Sequence, residues 1–325
     1  MDARFPFSPF PNGWYAVAFS EELQGDTVLT RSLAGRPLVL FRDAQGQAAA
    51  LAAHCPHLGA HLGHGGRVVA GNLRCPMHGF QFDASGHCIE TGYGTRPPPS
   101  CRARSYAVHE ILGAVFLWHH LADAQPQWRL PDHGGGERKA WHRHVYRSLS
   151  THPQETTENS VDLGHFQHVH GYRDIKVVEP LRLEGPHLTA AYSMRRRPLV
   201  AGTPDVRAKF HIEAHGLGCS VVDVEIESHG LLSRHLVLAT PTDEGKVDLH
   251  LAMSLQGSGR FAGKTASAIL RMLIGRVAFR GYLSDVRQDF EIWANKRYQQ
   301  PPALAEGDGP IGRYRRWAEQ FYTSD

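Results

Sequence analysis

Two short segments of this 325-residue chain offer matching sets of metal-binding side chains, and they constrain the fold more than any other feature. Cys55-Pro-His57 lies in the glycine-rich stretch LAAHCPHLGAHLGHG at residues 51–65, and Cys75-Pro-Met-His78 follows after 17 intervening residues. Each segment offers one thiolate and one imidazole. We therefore expect the chain to fold so that these two loops meet around one metal group.

Two kinds of metal centre use two cysteines and two histidines. A structural zinc ion binds such a set tetrahedrally, but zinc fingers usually pair cysteine with cysteine and histidine with histidine. A mixed pair on each loop suits a [2Fe–2S] cluster that has two cysteines on one iron and two histidines on the other. The pattern favours the cluster, with zinc as the alternative.

The first part of the chain has the pattern of a small β domain. Residues 36–51 contain two apolar runs around an Asp/Gly turn, and residues 106–120 contain two more short runs. The stretch 125–141 has two prolines and three consecutive glycines, which indicates a linker. We therefore predict one domain at residues 1–130 and a second at 131–325.

The second domain mixes helical and strand patterns. Residues 155–171 read as a helix, 263–298 as a long helix and 313–322 as a short closing helix. Between them, residues 235–255 read as two strands around a turn, and strict alternation in the second strand predicts one buried face. Strands flanked by helices indicate an α+β fold with a curved sheet wrapped on the long helix.

A second set of potential metal ligands opens this domain. The segment ENSVDLGHFQHVHG offers Asn159, Asp162, His165 and His170. Two histidines and a carboxylate on one face of iron leave positions open for O₂ and substrate. Because His165 and His170 are five residues apart, they lie about 140° apart around a regular helix. We therefore predict a π-bulge or a helix end between them, and Gly171 favours a helix end.

The carboxylate of such a site has to come from elsewhere in the chain. The segment SDVRQDFEIWANKRY at residues 284–298 offers Asp285, Asp289 and Glu291. Asp285 and Asp289 share one helix face at a spacing of four residues. From the residues alone, any of the three could be the ligand.

The first set of ligands resembles the C-x-H … C-x-x-H motif of Rieske proteins. The stretch CPMHGFQFDASGHC is especially similar to the Rieske non-haem iron oxygenases, and neither loop carries the additional cysteine of the respiratory Rieske proteins. The resemblance implies that Cys55, His57, Cys75 and His78 bind the cluster. It also implies an N-terminal all-β Rieske domain and a C-terminal helix-grip catalytic domain of the START/Bet v1-like type.

The second set matches the N-x-x-D-x-x-H-x₄-H segment of the same oxygenases at all four positions. By this resemblance His165 and His170 bind a mononuclear Fe(II), while Asp162 and Asn159 are catalytic residues that do not bind it. Asp162 would bridge His165 to a Rieske histidine, preferably His78, across the subunit boundary of a homotrimer.

The C-terminal segments resemble the steroid-acting members of the family, namely the oxygenase component of 3-ketosteroid 9α-hydroxylase and the cholesterol 7-desaturases. The segment QDFEIWANKRY is similar to the one that supplies the third ligand, which implies Asp289, with Asp285 as the alternative. An apolar polycyclic substrate, most consistent with a steroid or sterol, follows from the resemblance alone.

The resemblance implies a terminal oxygenase that hydroxylates, desaturates or oxidatively demethylates its substrate with O₂. Electrons would come from NAD(P)H through a separate flavin reductase, directly or by way of a ferredoxin. Two other functions are compatible with the sequence. One is an aromatic or natural-product monooxygenase, and the other is a Rieske electron carrier with a ligand-binding domain.

The bulk properties limit the partners and the location. A net charge of +3 is too small to indicate nucleic-acid binding. We find neither a signal-peptide pattern nor an uninterrupted apolar run of about 18 residues, so we expect no transmembrane segment. Five cysteines, an odd number, argue against a disulfide scaffold and favour the reducing cytoplasm.

Overall fold

The computed structural model describes residues 4–132, 141–196, 205–226, 231–257 and 266–323. Contacts divide the chain into two compact units. One comprises Trp14–Gly135 with Thr242–Glu244, and the other comprises Met1–Gly13, Gly136–Pro241 and Gly245–Asp325. The linker that we predicted at 125–141 includes residues 133–140, which lie outside the described residues.

The first unit consists of short strands joined by tight turns. Its core contains the apolar run of β3, and the turn after that strand places Gly46 at a φ of 77°. The strands of its described part form three sheets, in the orders β1-β10-β9, β2-β3-β4 and β5-β6-β7-β8. They are β1 (Gly13–Phe19), β2 (Leu29–Leu33), β3 (Arg36–Arg42), β4 (Ala48–Ala52), β5 (Arg67–Val69), β6 (Asn72–Arg74), β7 (Gln81–Phe82), β8 (Cys88–Glu90), β9 (Val108–Ile111) and β10 (Ala114–His119).

The second unit is built on one seven-stranded sheet in the order β11-β17-β16-β15-β14-β13-β12. From β12 to β17, each strand lies beside its predecessor, and β17 finally pairs with β11. The connection from β11 to β12 therefore crosses from one edge of the sheet to the other. The strands are β11 (Trp141–Ser150), β12 (Arg173–Glu184), β13 (His187–Arg196), β14 (Val206–His215), β15 (Cys219–Ile226), β16 (Leu231–Asp243) and β17 (Lys246–Gly257).

Four α-helices accompany this sheet in the described part of the chain: α1 (Pro153–Glu158), α2 (Leu163–His168), α3 (Ala266–Asn295) and α4 (Ile311–Ala318). The long helix α3 packs Trp293 and Phe290 against Leu249 and Ala239 of the sheet. The expected all-β first domain and helix-on-sheet second domain are confirmed. None of the described helices is both long and apolar enough to span a membrane.

The structure differs from the sequence-based expectation in part of the second unit. The prediction of a single helix at 155–171 is wrong, because this segment forms two helices, α1 and α2, separated by residues 159–162. The expected start of the long helix at Gly263 lies outside the described residues. The expected buried face of β17 is confirmed by Leu249 and Leu251, but the opposite face is buried too and carries Asp248 and His250. The alternation of apolar and polar residues in β17 predicted only that its apolar face is buried.

Candidate metal centres

The two cysteine-histidine loops of the first unit have the same backbone frame. The Cys55 amide donates to the Ala60 carbonyl, and the Gly59 amide donates back to the Cys55 carbonyl. In the second loop, Cys75 makes the equivalent bonds at 2.8 and 3.1 Å, with the Phe80 carbonyl and the Gly79 amide respectively. The glycine at the fifth position has a φ of 78° in one loop and 72° in the other, a conformation that favours glycine.

The side chains of the two loops divide into a buried pair and a more accessible pair. Cys55 and Cys75 are 2% and 3% exposed, and their thiols interact. Burial raises the pKa of Cys55 to about 11 in the absence of a metal group. The His57 and His78 rings are half-buried and lie 4.8 Å apart between centroids, with His57 stacked on Phe80 at 4.3 Å.

This arrangement fits a two-iron cluster better than a single ion. A [2Fe–2S] cluster distributes its four protein ligands over two metal ions, so all four need not converge on one point. The buried thiols and the outer imidazoles match that division.

A groove of about 540 Å³ runs along the outer side of the second loop. Its lining includes Arg67, Arg74, Met77, His78 and Tyr93. The Met77 and Tyr93 side chains are 57% and 59% exposed. The imidazole side of the loops therefore lies next to apolar and basic surface.

The remaining cysteines, Cys88, Cys101 and Cys219, are free thiols; Cys101 and Cys219 are buried in the manner of small apolar residues, whereas Cys88 is half-buried. Three further histidines of the opening loop, His54, His61 and His64, contact one another with ring centroids 4.4 to 5.1 Å apart.

The second candidate centre lies on the connection between β11 and β12. Pro153 begins α1, and the helix ends at Glu158. Asp162 then caps α2, since its carboxylate accepts the His165 backbone N–H at 2.9 Å. Asp162 is thus an N-cap residue, whereas the single helix expected at 155–171 would have placed it inside a helix.

The predicted helix end between the two histidines is confirmed. Helix α2 ends at His168, and Gly171 adopts a left-handed φ of 69°. The Gly171 amide donates to the Gln167 carbonyl, which closes the helix in the manner of an αL cap. The end of the helix turns His170 towards His165, and the two rings lie 4.5 Å apart between centroids.

Three side chains from two distant segments converge here. Asp289 of α3 places Oδ1 2.6 Å from His165 Nε2 and Oδ2 3.7 Å from His170 Nε2. The donor atoms of the three residues all lie within 4.8 Å of one another. Asn159 is adjacent, with its side-chain amide nitrogen 3.2 Å from His165 Nε2.

The electrostatics of this group suit a divalent cation. Burial lowers the pKa of His170, so its imidazole is neutral at pH 7 and offers a lone pair. Two neutral imidazoles and one carboxylate form the donor set of a non-haem iron site with open positions. His165 Nδ1 is buried and has no hydrogen-bond partner among the described residues. A metal on Nε2 would put a proton on that nitrogen, facing outwards from the group.

The other two carboxylates of the C-terminal segment do not belong to this group, although Asp285 lies close enough to interact electrostatically with His170 and Asp289. Asp285 forms an ion pair with Arg196, and Glu291 is exposed. Gln288 was not predicted. Its Oε1 lies 3.1 Å from His170 Nδ1, and only its position next to Asp289 could have drawn attention to it in the sequence.

Comparison with known proteins identifies this combination of fold and site. Residues 117–322 match the family described as the 3-ketosteroid 9α-hydroxylase C-terminal domain, and residues 13–102 match the Rieske [2Fe–2S] domain. The chain belongs to the Rieske non-haem iron oxygenases. Within them it belongs to the family of the 3-ketosteroid 9α-hydroxylase C-terminal domain, because that match covers more than half of its length.

Curated relatives include steroid-modifying enzymes. Cholesterol 7-desaturase nvd 1 of Ciona intestinalis is 27% identical over 97% of this chain and 69% of its own length. The oxygenase component of 3-ketosteroid-9-alpha-monooxygenase from Rhodococcus rhodochrous is 27% identical over 97% of this chain and 82% of its own length. The crystal structure of dicamba monooxygenase bound to dicamba has the same fold, with a TM-score of 0.72 and 24% identity over 96% of this chain and 97% of that chain.

Proposed function

We propose that this protein is the terminal oxygenase of a multicomponent system and that it hydroxylates, desaturates or oxidatively demethylates a steroid or sterol. The observation that carries the proposal is the convergence of His165, His170 and Asp289 within 4.8 Å in a chain that also has two matched cysteine-histidine loops. An electron carrier needs the loops but has no use for the second group.

Each of the two centres has its own proposed set of ligands. Cys55, His57, Cys75 and His78 would hold a [2Fe–2S] cluster, and the group of His165, His170 and Asp289 would hold Fe(II). When bound, the cluster supplies single electrons and the iron supplies O₂ chemistry. The protein fixes the orientation of the ligands and excludes water from the carboxylate, which is 5% exposed.

Asp162 has a positioning role in this proposal. One of its carboxylate oxygens accepts the His165 amide, which anchors α2. Its carboxylate would also accept the proton of His165 Nδ1, the buried nitrogen without a partner among the described residues. The bridge from Asp162 to His78 of a neighbouring subunit, and the homotrimer that it requires, remain predictions, as does the role of Asn159.

A steroid or sterol substrate is supported by the names of the relatives and by the surroundings of the second centre. Phe166 follows His165 directly, and its ring contacts the rings of Tyr172 and Tyr192. Together with Phe210 these rings form an aromatic wall next to the histidines. An aromatic or natural-product substrate is the alternative outcome of the test.

The proposal is tested by counting iron and by substrate-coupled turnover. We expect about three irons per chain in anaerobically reconstituted protein, whereas an electron carrier holds about two. With a flavin reductase, a ferredoxin and NAD(P)H, a panel of sterols, steroids and bicyclic aromatics should yield one class of substrate that couples NAD(P)H consumption to product. Coupled turnover of only the bicyclic aromatics would contradict the steroid proposal.

Two further assignments stay predictions. The location in the cytoplasm rests on cysteine usage, and all five cysteines are free thiols. The domain boundary at residues 130 and 131 is the other, and limited proteolysis between the two units would test it.

A further inference from the structure

Tyr192 lies in the aromatic wall next to the second centre. It belongs to β13 and is 1% exposed, and its ring lies 5.8 Å from that of Phe166. Across the sheet it is paired in register with Phe210 of β14, so the two side chains share one face. Phe210 in turn contacts Tyr172 at 5.6 Å. The Tyr192 ring is therefore surrounded by apolar and aromatic groups.

The hydroxyl group of Tyr192 is buried and has no hydrogen-bond partner among the described residues. Two other tyrosines of this unit, the buried Tyr314 and the half-buried Tyr282, have partners. The Tyr314 hydroxyl donates to the Gln154 carbonyl at 2.8 Å, and the Tyr282 hydroxyl donates to the Leu236 carbonyl at 3.0 Å. Buried polar groups are nearly always paired, and leaving one unpaired costs about 1–3 kcal/mol.

Such a hydroxyl needs an acceptor that arrives from outside the described chain. Burial raises the pKa of Tyr192 to about 12, so the group remains protonated and acts as a donor at neutral pH. Because its described neighbours are aromatic and aliphatic, an acceptor carried by an otherwise apolar molecule fits these surroundings.

We propose that Tyr192 is a specificity-determining residue whose hydroxyl donates a hydrogen bond to a carbonyl or hydroxyl oxygen of the substrate. The inference deepens the proposed function and rests on it. The wall formed by Phe166, Tyr172 and Phe210 contacts the fused rings, while Tyr192 recognises an oxygen on them. A site built to hydrogen-bond an oxygen discriminates against the analogue that lacks it.

The test compares three probes that differ only in one oxygen: 5α-androstan-3-one, 5α-androstan-17-one and the parent hydrocarbon 5α-androstane. Binding to the holoenzyme is measured by anaerobic calorimetric titration without reductase, so that no turnover occurs. We expect one of the ketones to bind the wild type about three- to tenfold more tightly than the hydrocarbon. Tyr192→Phe should bind all three alike, at the affinity of the hydrocarbon.

Thermal unfolding separates recognition from a structural role. Tyr192→Phe removes an unpaired hydroxyl, so its Tm should equal or exceed that of the wild type. The matched control Tyr314→Phe removes a paired hydroxyl elsewhere in the unit, and it should lower the Tm while keeping the preference for the ketone.

Other results overturn the inference. If the wild type shows no preference between ketones and hydrocarbon, or if Tyr192→Phe keeps the preference, Tyr192 does not recognise an oxygen. A lowered Tm in Tyr192→Phe with an unchanged preference would mean that the hydroxyl serves the fold through a bound water. Binding of none of the three probes to the wild type would overturn the steroid proposal together with this inference.

Discussion

Gln288 Oε1 lies 3.1 Å from Nδ1 of His170. With this amide oxygen as the acceptor, the imidazole proton lies on Nδ1 and the Nε2 lone pair is left on the side of Asp289. We predict that Gln288→Leu weakens Fe(II) binding about tenfold, the low end of such effects since Gln288 is exposed. Calorimetric titration of the apo site would measure it.

Two matched variants control the Gln288 experiment. Glu291→Ala changes an exposed residue of the same helix and should leave the Fe(II) affinity unchanged. Gln288→Glu keeps an acceptor beside His170 and should retain most of the affinity. Equal affinities in Gln288→Leu and the wild type would show that His170 is oriented by other contacts.

Asp289 and Asp285 lie one helical turn apart and differ in their partners. Asp289 faces His165 and His170, while Asp285 pairs with Arg196. We predict that Asp289→Asn lowers the iron content from about three to about two per chain without changing the visible spectrum of the cluster. Asp285→Asn should keep about three irons. The reverse result would make Asp285 the third ligand.

The glycines at the fifth position of the two cysteine-histidine loops share a left-handed conformation but not their surroundings. A Cβ at Gly59 would meet nothing within 4 Å, whereas a Cβ at Gly79 would lie 3.0 Å from the Arg74 guanidinium and 3.2 Å from the Gly92 Cα. Gly59→Ala should therefore cost only the backbone strain, about 1–2 kcal/mol.

Gly79→Ala should destabilise the protein more than Gly59→Ala, because it adds steric overlap with backbone to the same strain. Chemical denaturation of both variants would test the order, and the visible spectrum would report whether the cluster still assembles. Equal losses in the two variants would mean that the second loop shifts to make room.

We predict that the buried His152 makes the protein less stable in acid. Its ring accepts the Gln154 amide at the start of α1, and burial lowers its pKa to about 4 from an ordinary value near 6.5. As the pH falls, the unfolded chain therefore binds the proton first. Stability should decrease between about pH 6.5 and pH 4, by about 3 kcal/mol from this group.

His152→Asn provides the comparison for the acid effect, because asparagine can still cap the helix but does not titrate. Denaturation of both proteins at pH 7.0, 5.5 and 4.5 should give a shallower pH dependence for the variant. Since acid loss of metal affects both proteins, the difference between them isolates His152. Parallel curves would contradict the prediction.

The sequence predicted those features that depend on local spacing. The two cysteine-histidine loops and the helix end at Gly171 are encoded within a few residues, so their patterns were sufficient. The break before Asp162 was missed because residues 155–160 contain no apolar residue whose spacing could have marked the end of α1. Asp162 itself was the available signal, since aspartate is a preferred N-cap residue.

Features that depend on tertiary packing could not be read from the sequence. The connection between α1 and α2 approaches the C-terminal segment so closely that a Cβ at Gly309 would lie 2.3 Å from the Val161 carbonyl oxygen. Tyr192 reads simply as an apolar strand residue, and its unpaired hydroxyl emerges only when its neighbours are known. The second buried face of β17 likewise depends on what covers it.

The two cysteine-histidine loops share a backbone frame, but they place their imidazoles at different positions of it. His57 departs from the third position of its turn and His78 from the fourth, so one backbone template yields two non-equivalent rings. His57 lies flat on Phe80, while His78 stands edge-on to Tyr93 at 6.1 Å. The His57 and His78 imidazoles thus have different surroundings, and the difference arises because the two histidines are offset by one residue within the shared backbone frame.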